Sequence, residues 1–168
     1  MLGERARAAI DATTSTSFAA DLKKWLAIME AYEQGGHAYH ATMPTDAIAR
    51  LAQAMKDTEA FGFDKARRAQ QELGERVRRV VVDHGMPSVA APGFQSPTVV
   101  VSYTDDPGIQ SGAKFTQAGL QTAAGVPLQC DEGSDFRTFR IGLFGLDKLG
   151  DIDRTVRTLS DALTRIGK

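Results

Sequence analysis

The sequence predicts an α/β fold of the α+β type, with a small sheet covered on one face by helices and further helices ahead of it. Three observations predict it. Residues 98–103, Thr-Val-Val-Val-Ser-Tyr, are a β-branched run that suits a buried strand. In residues 139–143, Phe-Arg-Ile-Gly-Leu, apolar and non-apolar positions alternate with the period of two that sends side chains to opposite faces. The first sixty residues or so carry only helical periodicity and loops, too few elements to close a core of their own. The chain therefore reads like the tail of a larger protein.

Taken in order, residues 2–11 suit a short helix of mixed charge, ended by the polar run Thr13-Thr14-Ser15-Thr16-Ser17. Ser17 is the expected cap of a second helix, whose Leu22, Trp25, Leu26 and Met29 share one face, and Gly35-Gly36 ends it. The segment from His37 to Pro44 is expected to be extended, because Pro44 bars Met43 from helical angles. Thr45 is the expected cap of a long helix with Ile48, Leu51, Ala52 and Met55 as its buried stripe. Asp64 is expected to recap a further helix carrying Ala66, Ala69, Leu73, Val77, Val80 and Val81, closed by His84-Gly85 with the imidazole at the helix's negative end. A turn-rich stretch, 88–97, leads to the first strand. Asp106-Pro107 then starts a helix expected to continue through Ile109, Ala113 and Leu120. Residues 123–128 suit an edge strand, since Pro127 cannot join a central ladder. After the second long strand, Asp151 caps a last helix in which Ile152, Val156, Leu159, Leu163 and Ile166 keep helical spacing.

Composition removes several function classes. The 168 residues have a formal charge of −1, 42% hydrophobic and 24% charged residues, and no long block of one sign. Nothing here favours nucleic acid or a membrane surface. No apolar run approaches the ~20 residues of a membrane helix, and no signal-peptide core follows the start, so cytoplasm is the expected compartment. The single cysteine, Cys130, allows no intrachain disulfide; it has neither a histidine nor a cationic helix start nearby in sequence, and is expected to be inert. His37 and His40 lie three apart in a loop with no acid or cysteine to complete a metal site.

The residue that stands out is Arg140. A guanidinium in so apolar a strand is costly unless something anionic meets it, and its planar fork matches a carboxylate in two parallel hydrogen bonds. Gly142, on the same face, leaves room for a small ligand. Three readings stay open on pattern alone: a carboxylate clamp, an internal salt bridge, or a snorkelling arginine on an edge strand. The dinucleotide fingerprint, the phosphate-binding Walker loop, the Gly-x-Ser-x-Gly elbow and the HExxH motif are all absent. Any chemistry must then come largely from a cofactor or another chain.

Three pieces of the chain resemble a known family: Asp21-Leu22-Lys23-Lys24-Trp25-Leu26, Ala38-Tyr39-His40-Ala41-Thr42-Met43-Pro44, and Phe139-Arg140-Ile141-Gly142-Leu143-Phe144-Gly145. In order and spacing they are similar to the C-terminal part of the class V aminotransferases, pyridoxal-phosphate enzymes of fold type I, above all the alanine–glyoxylate and serine–pyruvate aminotransferases. The resemblance covers essentially the whole chain. It implies the pyridoxal-phosphate-dependent transferase fold, with residues 1–44 as the end of the large domain, 45–84 as connecting helices and 85–168 as the small C-terminal domain. Arg140 falls where the family grips the substrate α-carboxylate. Tyr39 and Thr42 fall where it lends a phenol and a hydroxyl to the cofactor phosphate of the neighbouring subunit, in a homodimer.

The resemblance also implies what is missing. The family's cofactor-anchoring lysine, the aspartate that pairs with the pyridine nitrogen and most of the phosphate loop precede the point where this sequence begins. None of the lysines here occupies the anchoring motif. The chain is expected to be a piece of a longer enzyme and inactive in transamination by itself. Two rivals remain: a lyase or desulfurase on the same scaffold, for which Cys130 is the candidate thiol, and a non-catalytic binding or dimerisation module that kept the fold.

Overall fold

The structure, a computed structural model, describes residues 2–129 and 131–167, so Cys130 lies outside the described residues. By its internal contacts the chain forms two compact units, Met1–Ala52 and Gln53–Lys168.

The first unit holds α1 (Glu4–Ala12), α2 (Leu22–Glu33) and the start of α3 (Thr45–Phe61). The cap of α2 is Asp21, whose carboxylate accepts the Lys24 N–H at 3.1 Å, and not Ser17 as expected. Ser17 instead accepts the Ala20 N–H in a turn, because four non-helical residues separate it from the helix. Thr45 likewise is no cap. It is already the first residue of α3, and the Pro44 carbonyl takes the first helical bond, from the Ile48 N–H. The expected stripe on α3 is amphipathic but not buried, with Ile48, Leu51 and Met55 at 44%, 61% and 54% exposure.

The second unit is built on α4 (Phe63–Asp83). Its start differs from expectation: Gly62, with φ +95°, occupies the cap position, and Asp64 sits inside the first turn. The end is as expected, with His84 Nδ1 2.7 Å from the Val80 carbonyl and Gly85 at φ +80°. Leu73, Val77 and Val81, four residues apart, put one buried stripe against the sheet and against α8 (Ile152–Ile166). Asp151 caps α8 by accepting the Arg154 N–H at 2.9 Å. On the surface Arg76 joins the two helices, meeting Asp153 at 2.6 Å and Glu72 at 3.1 Å.

The sheet has three antiparallel strands in the order β1–β3–β2: β1 (Val99–Tyr103), β2 (Ala123–Ala124) and β3 (Thr138–Gly142). The Arg140 strand is thus central, which removes the edge-strand reading of that residue. Register pairs Val100 with Ile141 and Ser102 with Phe139 on the helix-covered face, where all four are buried. The Phe139 ring meets Phe115 at 5.4 Å. Between β1 and β2 the single expected helix is two, α5 (Pro107–Gln110) and α6 (Ala113–Gln117). Gly112 breaks it: at φ +79° it leaves helical angles, and a Cβ there would stand 3.1 Å from Thr122 Oγ1. A further short helix, α7 (Leu146–Leu149), precedes α8 and was not expected from the sequence.

Candidate functional site

On the face of the sheet away from the helices, register sets Val101, Arg140 and Ala123 in one row, with Arg140 in the middle. The neighbouring residues Phe139 and Ile141 point the opposite way into the core, so the pleat alone fixes the direction of the arginine. Its side chain is half-buried. The Nε–H donates to the Ala124 carbonyl at 2.9 Å, which anchors the guanidinium to the edge strand. Among the described residues no carboxylate pairs with it, so the internal salt bridge considered above is not seen. With Nε committed, the two terminal nitrogens are left as a parallel pair of donors, the edge that fits a carboxylate end-on. Gly142 is exposed on the same face; a Cβ there would lie 3.4 Å from the ring of Phe144, which is itself exposed.

The edge strand that carries Ala124 is held closely. The Gly125 N–H donates to the Thr138 carbonyl at 2.9 Å, and a Cβ on Gly125 would come within 2.2 Å of that carbonyl oxygen. Only glycine permits β2 to pass this near to β3, so Gly125 secures the anchor of Arg140.

Tyr39 and Thr42 lie together in the first unit, their oxygens 3.4 Å apart. Tyr39 is 72% exposed and Thr42 is exposed as well. Both are neutral hydroxyls with further hydrogen-bonding capacity, as a phosphate oxygen requires. The loop that presents them is braced by a residue the sequence reading had weighed only as a metal ligand. His40 lies 3.0 Å through Nε2 from the Phe18 carbonyl, and its ring packs on Phe18 and on Trp25 at 4.5 and 5.2 Å. Trp25 is held in turn, donating Nε1–H to the Ala19 carbonyl at 2.9 Å. His37 packs edge-on against Tyr32 at 5.9 Å. Among the described residues no group of His, Cys, Asp or Glu could hold a metal ion, and no helix is long and apolar enough to cross a membrane. Tyr39 and Thr42 are in the first unit and Arg140 is in the second.

No model of a known protein family matches the sequence, and no curated protein matches it. Among solved structures, an alanine–glyoxylate aminotransferase from Nostoc sp. is similar, with a TM-score of 0.66 and 17% sequence identity. The fold is that of part of an aminotransferase. The match covers 85% of this chain but 37% of the neighbour, so the chain spans little more than a third of that enzyme's length. A small sheet covered by helices is what the sequence predicted, and the likeness agrees with that architecture.

Proposed function

We propose that this chain is the C-terminal portion of a pyridoxal-phosphate-dependent aminotransferase that moves an amino group from a small amino acid, alanine or serine, to a 2-oxo acid, glyoxylate or pyruvate. In this reading residues 1–44 close the large domain, 45–84 connect, and 85–168 form the small domain of a cytoplasmic homodimer. The observation that carries it is Arg140. A guanidinium on the open face of a central strand, anchored through Nε and with no acid partner among the described residues, offers its terminal nitrogens to a carboxylate. A small side chain on that ligand suits the floor of Gly142 and Ala123.

The cofactor, when bound, supplies the electron sink that makes the substrate Cα–H acidic. The residues of this chain bind and orient. Arg140 fixes the carboxylate and with it the direction of the Cα–H bond. Tyr39 and Thr42 would hold the phosphate of the neighbouring subunit's cofactor by hydrogen bonds from their hydroxyls, a role their exposure and 3.4 Å spacing suit. The proton-carrying lysine is to come from sequence ahead of Met1.

The test is to express the chain with the coding sequence upstream of Met1 and assay alanine plus glyoxylate, with cysteine in parallel. Pyruvate and glycine should form, and Arg140→Lys should lower kcat/KM for alanine. Sulfide from cysteine instead would favour the desulfurase. An upstream frame with no candidate lysine, or no activity with pyridoxal phosphate added, would leave a non-catalytic module.

A further inference from the structure

A second arginine site lies on the other side of the second unit, apart from the aminotransferase reading and independent of it. Gly74, Arg78 and Arg79 of α4, with Gln95, Ser96 and Pro97 of the connection to β1, line a groove of about 440 Å³. Its floor is backbone on backbone, because a Cβ on Gly74 would stand 2.7 Å from both Cα and the carbonyl oxygen of Pro97. Its far wall is pinned to the helix. Gln70 Nε2 donates to the Pro97 carbonyl at 2.8 Å, Arg78 Nη2 to the Ser96 carbonyl at 2.8 Å, and Arg78 Nη1 to Ser88 Oγ at 2.9 Å. The groove is therefore formed in advance of any ligand.

The charge in it is only partly compensated. Arg78 is half-buried, yet both its partners are neutral oxygens, and no carboxylate among the described residues pairs with it. Burial pushes its guanidinium below the ordinary arginine pKa, the mark of a cation that has lost water without gaining an anion. Tying α4 to a loop needs only donors; the positive charge is left over. Arg79 beside it has no ion-pair partner among the described residues, and the Gln95 carboxamide oxygen is already taken by the Gly93 N–H at 2.7 Å, which leaves its NH₂ as a donor. Glu75 is the one acid in the lining, so two cations face one anion and a single negative group restores the balance. The volume exceeds that of a bare oxyanion, which leaves space for an organic body.

We propose that this groove binds a small molecule through one oxyanion group, a carboxylate or a phosphate monoester, held between Arg78 and Arg79.

The experiment is an amide NMR titration of the full chain at constant ionic strength with inorganic phosphate, propionate and, as control, chloride. Saturable shifts at Gly74 and Ser96 are expected with phosphate, propionate or both, and not with chloride; the anion that saturates assigns the head group. Arg79→Gln, which removes no hydrogen bond or ion pair seen among the described residues, should weaken that binding about tenfold, the worth of one charge-assisted contact. Shifts that are linear, equal with chloride, or unchanged in Arg79→Gln would overturn the proposal.

Discussion

Replacing Arg140 by lysine separates the clamp from the scaffold. The aliphatic stem of arginine lies between Val101 and Ala123, and lysine can cover the same strand surface. The Ala124 carbonyl loses its 2.9 Å bond to Nε, but Ala124 is exposed and water can take that place. The cost to the fold should therefore stay within about 1 kcal/mol, a fall in Tm of no more than about 4 °C for a chain of this size. In the proposed clamp, carboxylate binding fares worse. Two parallel charge-assisted bonds become one, and each is worth about 1.5–3 kcal/mol, so kcat/KM for alanine should fall by a factor of about 10–150. Orientation of the Cα–H bond is lost with the fork, so kcat should fall as well as KM rise. The assay is steady-state kinetics of the chain joined to its upstream sequence, with a melting curve on the same sample. A kcat/KM within twofold of the unchanged protein would refute the clamp, and so would a large fall in Tm accompanying the loss, since the arginine would then be structural.

Gly74→Ala should lower Tm, although alanine is the better helix former by about 1 kcal/mol. A methyl 2.7 Å from the Pro97 backbone must displace a loop held by Gln70 and Arg78, at about 2–3 kcal/mol, for a net loss of about 1–2 kcal/mol; a rise in Tm would show that the loop yields freely. Asp106 should contribute to acid sensitivity: a hydrogen bond from Lys114 first, then the N–H groups of Gly108 and Ile109, hold its carboxyl below the ordinary value. Its contribution is then complete above about pH 4 and drains as the pH falls through the lower folded-state value, so Asp106→Asn should be less stable at neutral pH and flatter in a Tm-versus-pH series below that point. Phe139→Ala, at a fully buried ring against Phe115, should cost about 3–5 kcal/mol by chemical denaturation, whereas Phe144→Ala, exposed, should change stability by less than about 1 kcal/mol. In hydrogen exchange of the chain alone, amides of α2 should exchange far faster than those of α4 between Leu73 and Val81; equal protection would contradict the difference in burial.

What could be read from the sequence is what local chemistry decides by itself. The alternation Phe139-Arg140-Ile141 set both the strand and the side on which the arginine emerges, and Asp106-Pro107, Asp151 and Gly85 fixed element ends where cap and backbone preferences agree. Ser17 and Asp21 competed for one helix start, and the carboxylate next to the helix won over a hydroxyl four residues further out. The break at Gly112 was missed because Ile109, Ala113 and Leu120 fit a helical spacing across it, while the left-handed angle of one glycine is a tertiary choice. The anchor of Arg140 could not have been read at all. Its acceptor is the main-chain carbonyl of Ala124, sixteen residues away, and a backbone oxygen leaves no trace in residue type.

The stripe on α3 is the more instructive error. Ile48, Leu51 and Met55 recur as a buried face should, yet they are exposed, as are Phe18, Leu22 and Tyr32. Periodicity reports that a helix has an apolar side; it does not report which molecule, or which part of one, covers that side. In the first unit Ile10 is the one hydrophobic residue buried among those described, with Trp25, Leu26 and Ile28 half-covered. Burial of a single aliphatic side chain is worth about 1.5–3 kcal/mol, far below the entropy of ordering the helices, so the first unit has little core of its own. The second unit has the opposite economy, with one buried cluster that runs from Leu73 to Leu163. The core that holds β3, and with it Arg140, is built within the second unit, whereas Tyr39 and Thr42 sit on a loop braced by His40, Phe18 and Trp25 rather than by a closed core.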